Sequence, residues 1–301
     1  MLRRCPLTQI VAIVLTVLAC VPATAGPLED AAVAARRGDY PTALRLFRPL
    51  ADQGNSYAQH SLSAMYAKGI GVPQDYAEAI KWLRLAADKG LAIAQNDMGI
   101  MYRQGWGVAQ DNTEAANWFR RAADQDFMPA QNNLGDMYAV GFGVPRDYGE
   151  AVKWFRLAAE QDSPYAQNIL GIAYEHGFFL QQSDADALAW YRRAANKIYD
   201  SSHLTLMHGP QYNLAAMYAS GRGTSKDNVQ AYMWFTLAAK LGDLKSPDTL
   251  GVASFGSSKE TAQEQRDRVA ARMTSAEIAE GEKLARGWSP HPVVFITPQA
   301  K

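Results

Sequence analysis

The chain repeats a short pattern every 36 residues, and this period is the strongest constraint on its fold. Three residue types recur at that interval, each in its own register: Trp82, Trp118, Trp154 and Trp190; Gly69, Gly105, Gly141 and Gly177; Tyr66, Tyr102, Tyr138 and Tyr174. Self-similarity at such a period is typical of a solenoid, whose small units stack because none can bury its apolar face alone. We therefore expect a long binding surface rather than one deep pocket.

One unit, residues 55–90, has the pattern of two helices joined by a turn. Apolar and small residues follow a helical spacing from Ser56 to Lys68, and Gly69 then allows the left-handed conformation that often ends a helix. Asp75 opens a second helix, whose apolar stripe includes Trp82. Each unit is therefore predicted to be an αα-hairpin. The predicted structural residues are Trp82, Trp118, Trp154, Trp190 and Trp234 in the core, and Gly69, Gly105 and Gly141 at helix ends.

The starts of the second helices share an acidic pattern. Asp75 precedes Glu78 by three residues, and the same spacing recurs at Asp111 and Glu114, Asp147 and Glu150, and Asp227 and Gln230. This is the spacing of a capping box, in which the two side chains satisfy each other's backbone amides. Recurrence at every helix start favours a structural cap over a catalytic or metal-binding pair. Glycines in the middle of first helices (Gly99, Gly135 and Gly171) indicate close approach between helices.

The residues of the third hairpin resemble a known repeat family. Ala-Gln-Asn-Asn-Leu-Gly-Asp-Met-Tyr at residues 130–138 and Gly-Phe-Gly-Val at 141–144, followed by the helix that ends at Ala158-Ala159, resemble the Sel-one-like repeat, a relative of the tetratricopeptide repeat. The resemblance covers roughly residues 39–245. It implies an all-α, right-handed α-solenoid that serves as an adaptor or protein-binding scaffold, commonly in exported bacterial proteins. It implies no particular partner.

The departures from the period divide the chain further. Residues 26–54 are expected to form an N-terminal helical cap and a half repeat, and residues 55–250 the full repeats. An insertion at 196–210 lengthens the interval from Trp190 to Trp234 by eight residues, either as neutral surface elaboration, which we favour, or as a partner-specific contact. Capping-box pairs at Ser257 and Thr274 predict helices near 258–272 and 275–286, within a C-terminal cap at 251–288. Residues 289–301 are expected to be an irregular tail.

The first 25 residues have the order of a secretory signal peptide. Arg3 and Arg4 precede an apolar run, and Ala23-Thr24-Ala25 offers a cleavage site. Cleavage near Ala25 would give a periplasmic or secreted protein with no transmembrane segment, and it would remove Cys5 and Cys20, the only cysteines. A lipid anchor at Cys20 is the less favoured alternative. The whole chain carries 30 Lys+Arg and 30 Asp+Glu, so its charge gives no reason to expect nucleic acid as a partner.

The sequence contains no recognisable catalytic or metal-binding motif. Its histidines are His60, His176, His203, His208 and His291, and no two have the spacing of a helical zinc pair. His203 and His208 share the insertion with Asp200, where solvated loop residues are favoured over a loose metal site. The motifs of serine hydrolases and phosphate-binding loops are missing. We expect no catalytic residues, no cofactor and no metal.

The first helix of each hairpin is the better candidate for a site. In tetratricopeptide-like solenoids this helix lines the concave face, so its non-core positions would form a groove. The candidate groove residues are Asn96, Asp97, Arg103, Asn132, Asn133, Asp136, Asn168, Tyr212 and Asn213. Amides offer donors and acceptors to a peptide backbone, and Arg and Tyr are favoured interface anchors. A further column of glutamines (Gln59, Gln95, Gln131, Gln167 and Gln211) either binds a peptide or, as we favour, bridges adjacent repeats.

Together these patterns predict a non-catalytic scaffold or adaptor of the bacterial envelope that binds a protein or peptide in its groove. A periplasmic regulator of a sensor kinase or envelope enzyme is an alternative within the same class. A second class is an enzyme or binder acting on cell-wall glycan or β-lactams. Glycan binding would require tryptophans that are exposed as stacking platforms, whereas the pattern places them in apolar helix stripes.

Overall fold

The computed structural model describes residues 26–198, 209–240 and 261–292. These residues form 14 helices and two very short strands. The elements are, in chain order, α1 (Pro27–Arg36), α2 (Tyr40–Asp52), α3 (Ser56–Lys68), α4 (Tyr76–Asp88), α5 (Ala92–Gln104), α6 (Asn112–Ala123), α7 (Met128–Val140), α8 (Tyr148–Glu160), α9 (Pro164–His176), α10 (Asp184–Ala195), β1 (Lys197–Ile198), α11 (Gly209–Ser220), α12 (Asn228–Lys240), α13 (Ala262–Ala270), α14 (Ser275–Gly287) and β2 (His291–Pro292).

The described residues divide into two compact units, one before and one after the boundary between Arg146 and Asp147. Consecutive helices pack against each other within each unit. In the first unit, alanines from several helices surround larger side chains such as Phe47, Leu62 and Met98. In the second, one core joins α10, α11 and α12 to the C-terminal helices through Tyr191, Phe235 and Val269. The fold is therefore an all-α solenoid of helical hairpins, as the period predicts.

Local sequence explains where the helices begin and end. Gly69, Gly105 and Gly141 follow α3, α5 and α7 with left-handed φ angles of 67°, 72° and 78°, a conformation that glycine adopts without steric cost. The side chains of Asp75 and Asp111 accept backbone N–H groups at the starts of α4 and α6. Both signals depend on short-range spacing, which is why the sequence locates the hairpins well.

The capping-box prediction is only half correct at the second helices. Asp75 accepts from the backbone N–H of Glu78, but its own N–H donates to the carbonyl of Tyr66 at 2.9 Å rather than to the Glu78 side chain. The Glu78 carboxylate instead pairs with Lys81 at 2.7 Å. Complete capping boxes occur at Thr274 and Glu277, as predicted, and at Thr261 and Glu264. The predicted cap at Ser257 lies outside the described residues, and α13 begins at Ala262 rather than near 258.

Gly99 shows why the first helices carry a glycine in their middle. A Cβ atom placed on Gly99 would lie 2.6 Å from the ring of Phe119, which is fully buried in the paired helix α6. Real Cβ atoms do not approach so closely, so the hairpin requires glycine here. The cost of glycine within a helix, roughly 1 kcal/mol relative to alanine, is therefore offset by tight packing of the two helices.

The repeat tryptophans differ in their burial. Trp82, Trp118 and Trp234 are buried, whereas Trp154 and Trp190 are half-buried. Arginine side chains lie over several of these rings: Arg48 over Trp82, Arg121 over Trp118 and Arg193 over Trp190, at 5.0, 4.4 and 4.8 Å from the ring centroids. These cations cover ring faces that a sugar would otherwise use. The expectation of fully buried tryptophans is therefore too strong at 154 and 190.

The C-terminal helices pack on the last hairpin of the second unit. The apolar side of this helix pair, Val269, Met273, Ile278 and Leu284, contacts the core that includes Trp234. Trp288 meets Trp234 edge to face, with ring centroids 6.1 Å apart, and its indole N–H donates to Asn196 Oδ1 at 3.4 Å. The region predicted as a cap therefore buries the end of the repeats.

The start of the insertion and the start of the tail form a small parallel bridge. Lys197 pairs with His291 and Ile198 with Pro292. The expectation of an irregular tail from residue 289 is therefore wrong at these two positions, because backbone pairing with a distant segment orders them. Residues 199–208 of the insertion and 293–301 of the tail lie outside the described ranges. Among the residues that the structure does describe, no helix is both long and apolar enough to cross a bilayer.

Candidate protein-binding surface on the first helices

Each unit has its own first-helix face, formed by α3, α5 and α7 in the first unit and by α9 and α11 in the second. Its deepest layer is the glutamine column, which is buried. Each glutamine Nε2 donates to a backbone carbonyl at the end of the preceding second helix, as between Gln95 and Ala87 O at 3.1 Å. The same bond joins Gln59 to Ala51, Gln131 to Ala123, Gln167 to Ala159 and Gln211 to Ala195. The favoured interpretation of these side chains as bridges between repeats is therefore confirmed.

An amide pair joins successive first helices in both units. Asn133 Nδ2 donates to Asn96 Oδ1 at 3.0 Å, and Asn213 Nδ2 donates to Asn168 Oδ1 at 3.2 Å. Asn96 and Asn168 are only 4% and 3% exposed, so these two side chains lie beneath the surface. Their assignment as groove residues needs correction: they position Asn133 and Asn213, which are half-buried and remain partly accessible.

A histidine that the sequence analysis did not select joins this layer. His60 is 1% exposed and its Nε2 lies 2.8 Å from Asp97 Oδ2 on the next first helix. Asn96 Nδ2 donates to the other oxygen of the same carboxylate at 3.3 Å. Asp97 is therefore held from two sides, and its carboxylate is placed with little freedom to move.

Lys68 brings an unusual amine to the same region. It stands half-buried in the last turn of α3. Burial lowers the pKa of its ammonium group to about 8, and the nearby carboxylate of Asp97 opposes this shift. Desolvation of the charged form is the larger effect because the side chain loses much of its contact with water. Near neutral pH the site thus holds a cation that is costly to keep charged.

Arg103 completes the polar network of the first unit. Its Nη1 donates to Asn133 Oδ1 at 3.2 Å, and its guanidinium lies over the ring of Phe119 at 5.5 Å from the centroid. The contacts run from His60 through Asp97, Asn96 and Asn133 to Arg103, across three successive first helices. Four predicted groove residues are therefore brought together in one network.

The remaining candidates lie apart from this network. Asn132 is half-buried beside Met128, with its Nδ2 3.7 Å from the sulfur. Asp136 is half-buried on the same helix. Tyr212, in the second unit, packs edge to face on Phe235 with ring centroids 5.3 Å apart. Half-buried Ile169 and Ile172 make the first-helix face of α9 apolar, in contrast to the polar face of the first unit.

The second unit contains another polar cluster, whose residues were not among the predicted site residues. The hydroxyl of Tyr191 donates to Glu175 Oε2 at 2.6 Å, and Arg222 pairs with the same carboxylate. Burial, reinforced by the charge of Glu175, raises the pKa of the Tyr191 hydroxyl well above its ordinary value, so it stays a donor. The available signal was a departure from the repeat: Tyr191 stands where other hairpins have Phe119 or Phe155.

These clusters consist of amides, carboxylates, cations and one phenol that hydrogen-bond to one another. Among the residues that the structure describes, no group of three His, Cys, Asp or Glu side chains is placed to hold a metal ion. Asp200, His203 and His208 lie outside those residues. What the first-helix face of the first unit offers is a set of oriented amides, two carboxylates and two cations, which can bind the backbone and side chains of a polypeptide.

The stacked hairpins and their polar first-helix face define a helical-repeat protein of the solenoid class. Six segments match the model described as Sel1 repeat: residues 34–55, 56–91, 92–127, 129–163, 164–198 and 211–243. The chain belongs to the Sel1 repeat family. Proteins of this family are commonly protein-interaction scaffolds and are generally non-catalytic.

Solved structures agree with this assignment. The chain is 30% identical to a Sel1 repeat protein from Oxalobacter formigenes, with a TM-score of 0.67 and coverage of 86% of this chain and 98% of that chain. It is 23% identical to a protective antigen of uropathogenic Escherichia coli that displays an SLR fold, with a TM-score of 0.51 and coverage of 85% and 74%. The second likeness shows the fold alone. No curated protein matches the chain in sequence.

Proposed function

We propose that this protein is a non-catalytic scaffold that binds a protein or peptide through the first-helix face of its first unit. The observation that carries the proposal is the network from His60 to Arg103, which fixes polar groups of three successive first helices in one place. A surface whose side chains are already held by neighbours loses little conformational entropy on binding. The face thereby combines a rigid backbone with donors and acceptors suited to a polypeptide.

The partly accessible members of the face define how a partner is recognised. Asp97 offers a carboxylate to partner N–H groups or cations, and Arg103 offers a guanidinium that Asn133 helps to orient. Asn132 and Asp136 extend the face along α7. We propose these four side chains as direct contacts, with Asn96 and His60 as the residues that position them.

We also propose that the protein acts in the bacterial envelope. Support comes from the N-terminal order of arginines, apolar run and Ala-Thr-Ala site. Amino-terminal sequencing of protein recovered from the periplasm should give Gly26 as the first residue. A lipid-modified Cys20 at the amino terminus would replace cleavage near Ala25 with membrane anchoring, and recovery of the intact chain from the cytoplasm would contradict export.

The experiment that tests the binding function is crosslinking of a tagged protein in its native envelope, followed by mass spectrometry. The wild type is compared with Asn132→Ala, which should keep the fold, and with Trp118→Ala, which should disrupt it. One dominant partner, reduced in the first variant and lost in the second, is the expected result. A partner whose identity is an envelope sensor or enzyme would place the scaffold in a regulatory role. Absence of any specific partner would contradict the function.

A further inference from the structure

A second repeating contact lies away from the first-helix face. Arginine occurs two residues after four of the five repeat tryptophans, at Arg84, Arg120, Arg156 and Arg192. Each of these side chains reaches from a second helix to the tyrosine near the end of the next first helix. Arg84 Nη2 donates to the Tyr102 hydroxyl oxygen at 2.7 Å, and Arg120 makes the same contact with Tyr138 in the first unit.

The second unit repeats the arrangement. Arg156 Nη2 donates to the Tyr174 hydroxyl at 3.1 Å, and Arg192 Nε donates to that of Tyr218 at 3.1 Å. The pattern stops at both ends of the repeats. Arg48 pairs with Asp52 instead, and Thr236 stands at the corresponding position after Trp234. We call the four arginine–tyrosine contacts the Arg–Tyr pairs.

Three of the Arg–Tyr pairs, those of Arg84, Arg156 and Arg192, keep hydrogen-bonding groups available at the surface. A guanidinium has five N–H donors, and Arg84, Arg156 and Arg192 are exposed. Within the described ranges, none of these three arginines has a carboxylate at ion-pair distance. Each tyrosine oxygen accepts from its arginine, which leaves the phenolic proton to be donated elsewhere. A pair thus presents guanidinium N–H groups and a phenolic O–H, the donor set that binds one carboxylate or phosphate.

Nearby charges distinguish between classes of anionic partner. Lys81, one turn before Arg84, is paired with Glu78, and Lys153, one turn before Arg156, is paired with Glu150. Exposed Asp88 and Glu160 lie four residues after the same two arginines. Such interleaved acids would repel a polymer with dense charge, and the whole chain is formally neutral. Isolated carboxylates, one for each pair, would meet less repulsion.

Apolar side chains next to the pairs favour a polypeptide further. Leu85 follows Arg84 and is 47% exposed, and Leu157 follows Arg156 and is 41% exposed. Both are among the few large apolar side chains that reach solvent in the described ranges. A protein segment can cover them with its own side chains, whereas a phosphate backbone cannot.

We propose that the pairs of Arg84, Arg156 and Arg192 dock an extended acidic segment of a partner protein, with one Asp or Glu carboxylate for each pair, and so give each unit a second interaction surface. This surface joins each second helix to the end of the next first helix, and none of its arginines or tyrosines belongs to the network from His60 to Arg103. An arginine fixed by a tyrosine has less side-chain entropy to lose than a free one, so the pairs are preorganised for a carboxylate.

Fluorescence anisotropy with a labelled peptide that repeats Glu-Gly-Ser tests the proposal on the full mature chain. The same peptide with Gln for Glu is the control ligand. We expect binding of the Glu peptide, weakened by added salt, and weakened about tenfold or more by the triple variant R84Q/R156Q/R192Q, because the variant removes the charged donors that bind the carboxylates. The variant Y102F/Y174F/Y218F should weaken binding by a smaller factor.

A matched lysine variant distinguishes specific binding at the Arg–Tyr pairs from attraction of the peptide by positive charge in general. K81Q/K153Q/K226Q also removes three exposed positive charges, and it should leave peptide binding within about twofold of wild type because these cations lack the tyrosine partner. Equal affinity for the Glu and Gln peptides, or equal loss in the lysine and arginine variants, would overturn the proposal. Inorganic polyphosphate that binds more tightly than the Glu peptide would assign the surface to phosphate polymers instead.

Discussion

The side chain of Gln95 donates from Nε2 to the backbone carbonyl of Ala87 at 3.1 Å, and so joins the start of one hairpin to the end of the one before it. The Gln95 side chain is buried. Replacement by alanine would leave the Ala87 carbonyl without this donor in a site with little water. We expect Gln95→Ala to lower the free energy of unfolding by about 1–3 kcal/mol, measured by urea denaturation.

Gln104 provides the matched control for this change, because it is exposed at the end of the same helix. Gln104→Ala should alter the free energy of unfolding by no more than about 0.5 kcal/mol. Equal effects at the two positions would mean that the glutamine column does not hold the repeats together.

The lowered pKa of Lys68 predicts that the folding stability of the protein depends on pH in an unusual way. Its folded pKa is lowered to about 8 from an ordinary value of 10.5. Between these values the unfolded chain still binds the proton that the folded chain has lost, so stability rises as pH increases through this window. Below about pH 8 both states are protonated, and the full penalty of keeping a charged amine half-buried remains.

Lys68→Met removes the titrating group while keeping a side chain of similar length. We expect the variant to be more stable than wild type at pH 7, with the difference shrinking between pH 8 and 10.5. Urea denaturation at several pH values gives the comparison, and it cancels the titration of tyrosines common to both proteins. A difference that does not change with pH would contradict the lowered pKa.

The Tyr191 hydroxyl is the donor that satisfies Glu175 on its buried side. Since the corresponding positions of the two preceding hairpins, Phe119 and Phe155, hold phenylalanine, Tyr191→Phe should preserve ring packing and remove only the hydrogen bond. A hydrogen bond to a charged acceptor contributes about 1.5–3 kcal/mol to stability. We therefore expect Tyr191→Phe to lower the free energy of unfolding, measured by chemical denaturation, by about that amount. In a Glu175→Ala background the same change should have little effect. A similar loss in both backgrounds would show that the hydroxyl acts through something other than Glu175.

Trp118 and Trp190 test the relation between burial and stability. Trp118 is 4% exposed, so Trp118→Ala should lower the free energy of unfolding by about 3–5 kcal/mol and disrupt the packing of its unit. Trp190→Ala, at a half-buried position, should cost less. An unchanged melting temperature for Trp118→Ala would remove that residue from the core.

The hairpins were predictable because their signals are local and recur. The αL position of Gly69 and the cap at Asp75 depend on neighbours within a few residues, and each signal is repeated along the chain. The close approach at Gly99 could also be predicted, since a glycine in mid-helix carries a cost that needs a structural reason. Each local signal is weak alone, but its recurrence in successive repeats identifies the helical-repeat fold.

The departures from prediction arise where contacts join distant segments. The N–H of Asp75 donates to the carbonyl of Tyr66, so the Glu78 side chain has no role in the cap, and the sequence pattern alone does not show this. His60 pairs with Asp97 across 37 residues and occurs in one repeat only, so no period reveals it. The bridge between Ile198 and Pro292 joins segments further apart still.

The groove was predicted in part for the same reason. A helical register identifies which positions face away from the paired helix, and three of the candidates it selected, Asp97, Arg103 and Asn133, lie in one hydrogen-bonded network. It could not distinguish the accessible amide of Asn133 from the buried amide of Asn96, because this depends on how successive hairpins overlap. Whether these residues bind a partner stays a prediction.

Site-specific photo-crosslinking tests the central claim, that the first-helix face of the first unit binds a protein. A photoreactive amino acid is placed at Asn132, or at Gln263 as a control that is exposed in the C-terminal helix α13, and the cells are irradiated. We expect a single crosslinked partner from position 132 only, and its loss when Asp97→Ala and Arg103→Ala are added. Crosslinking to the same partner from position 263 alone, or no partner from position 132, would contradict the account.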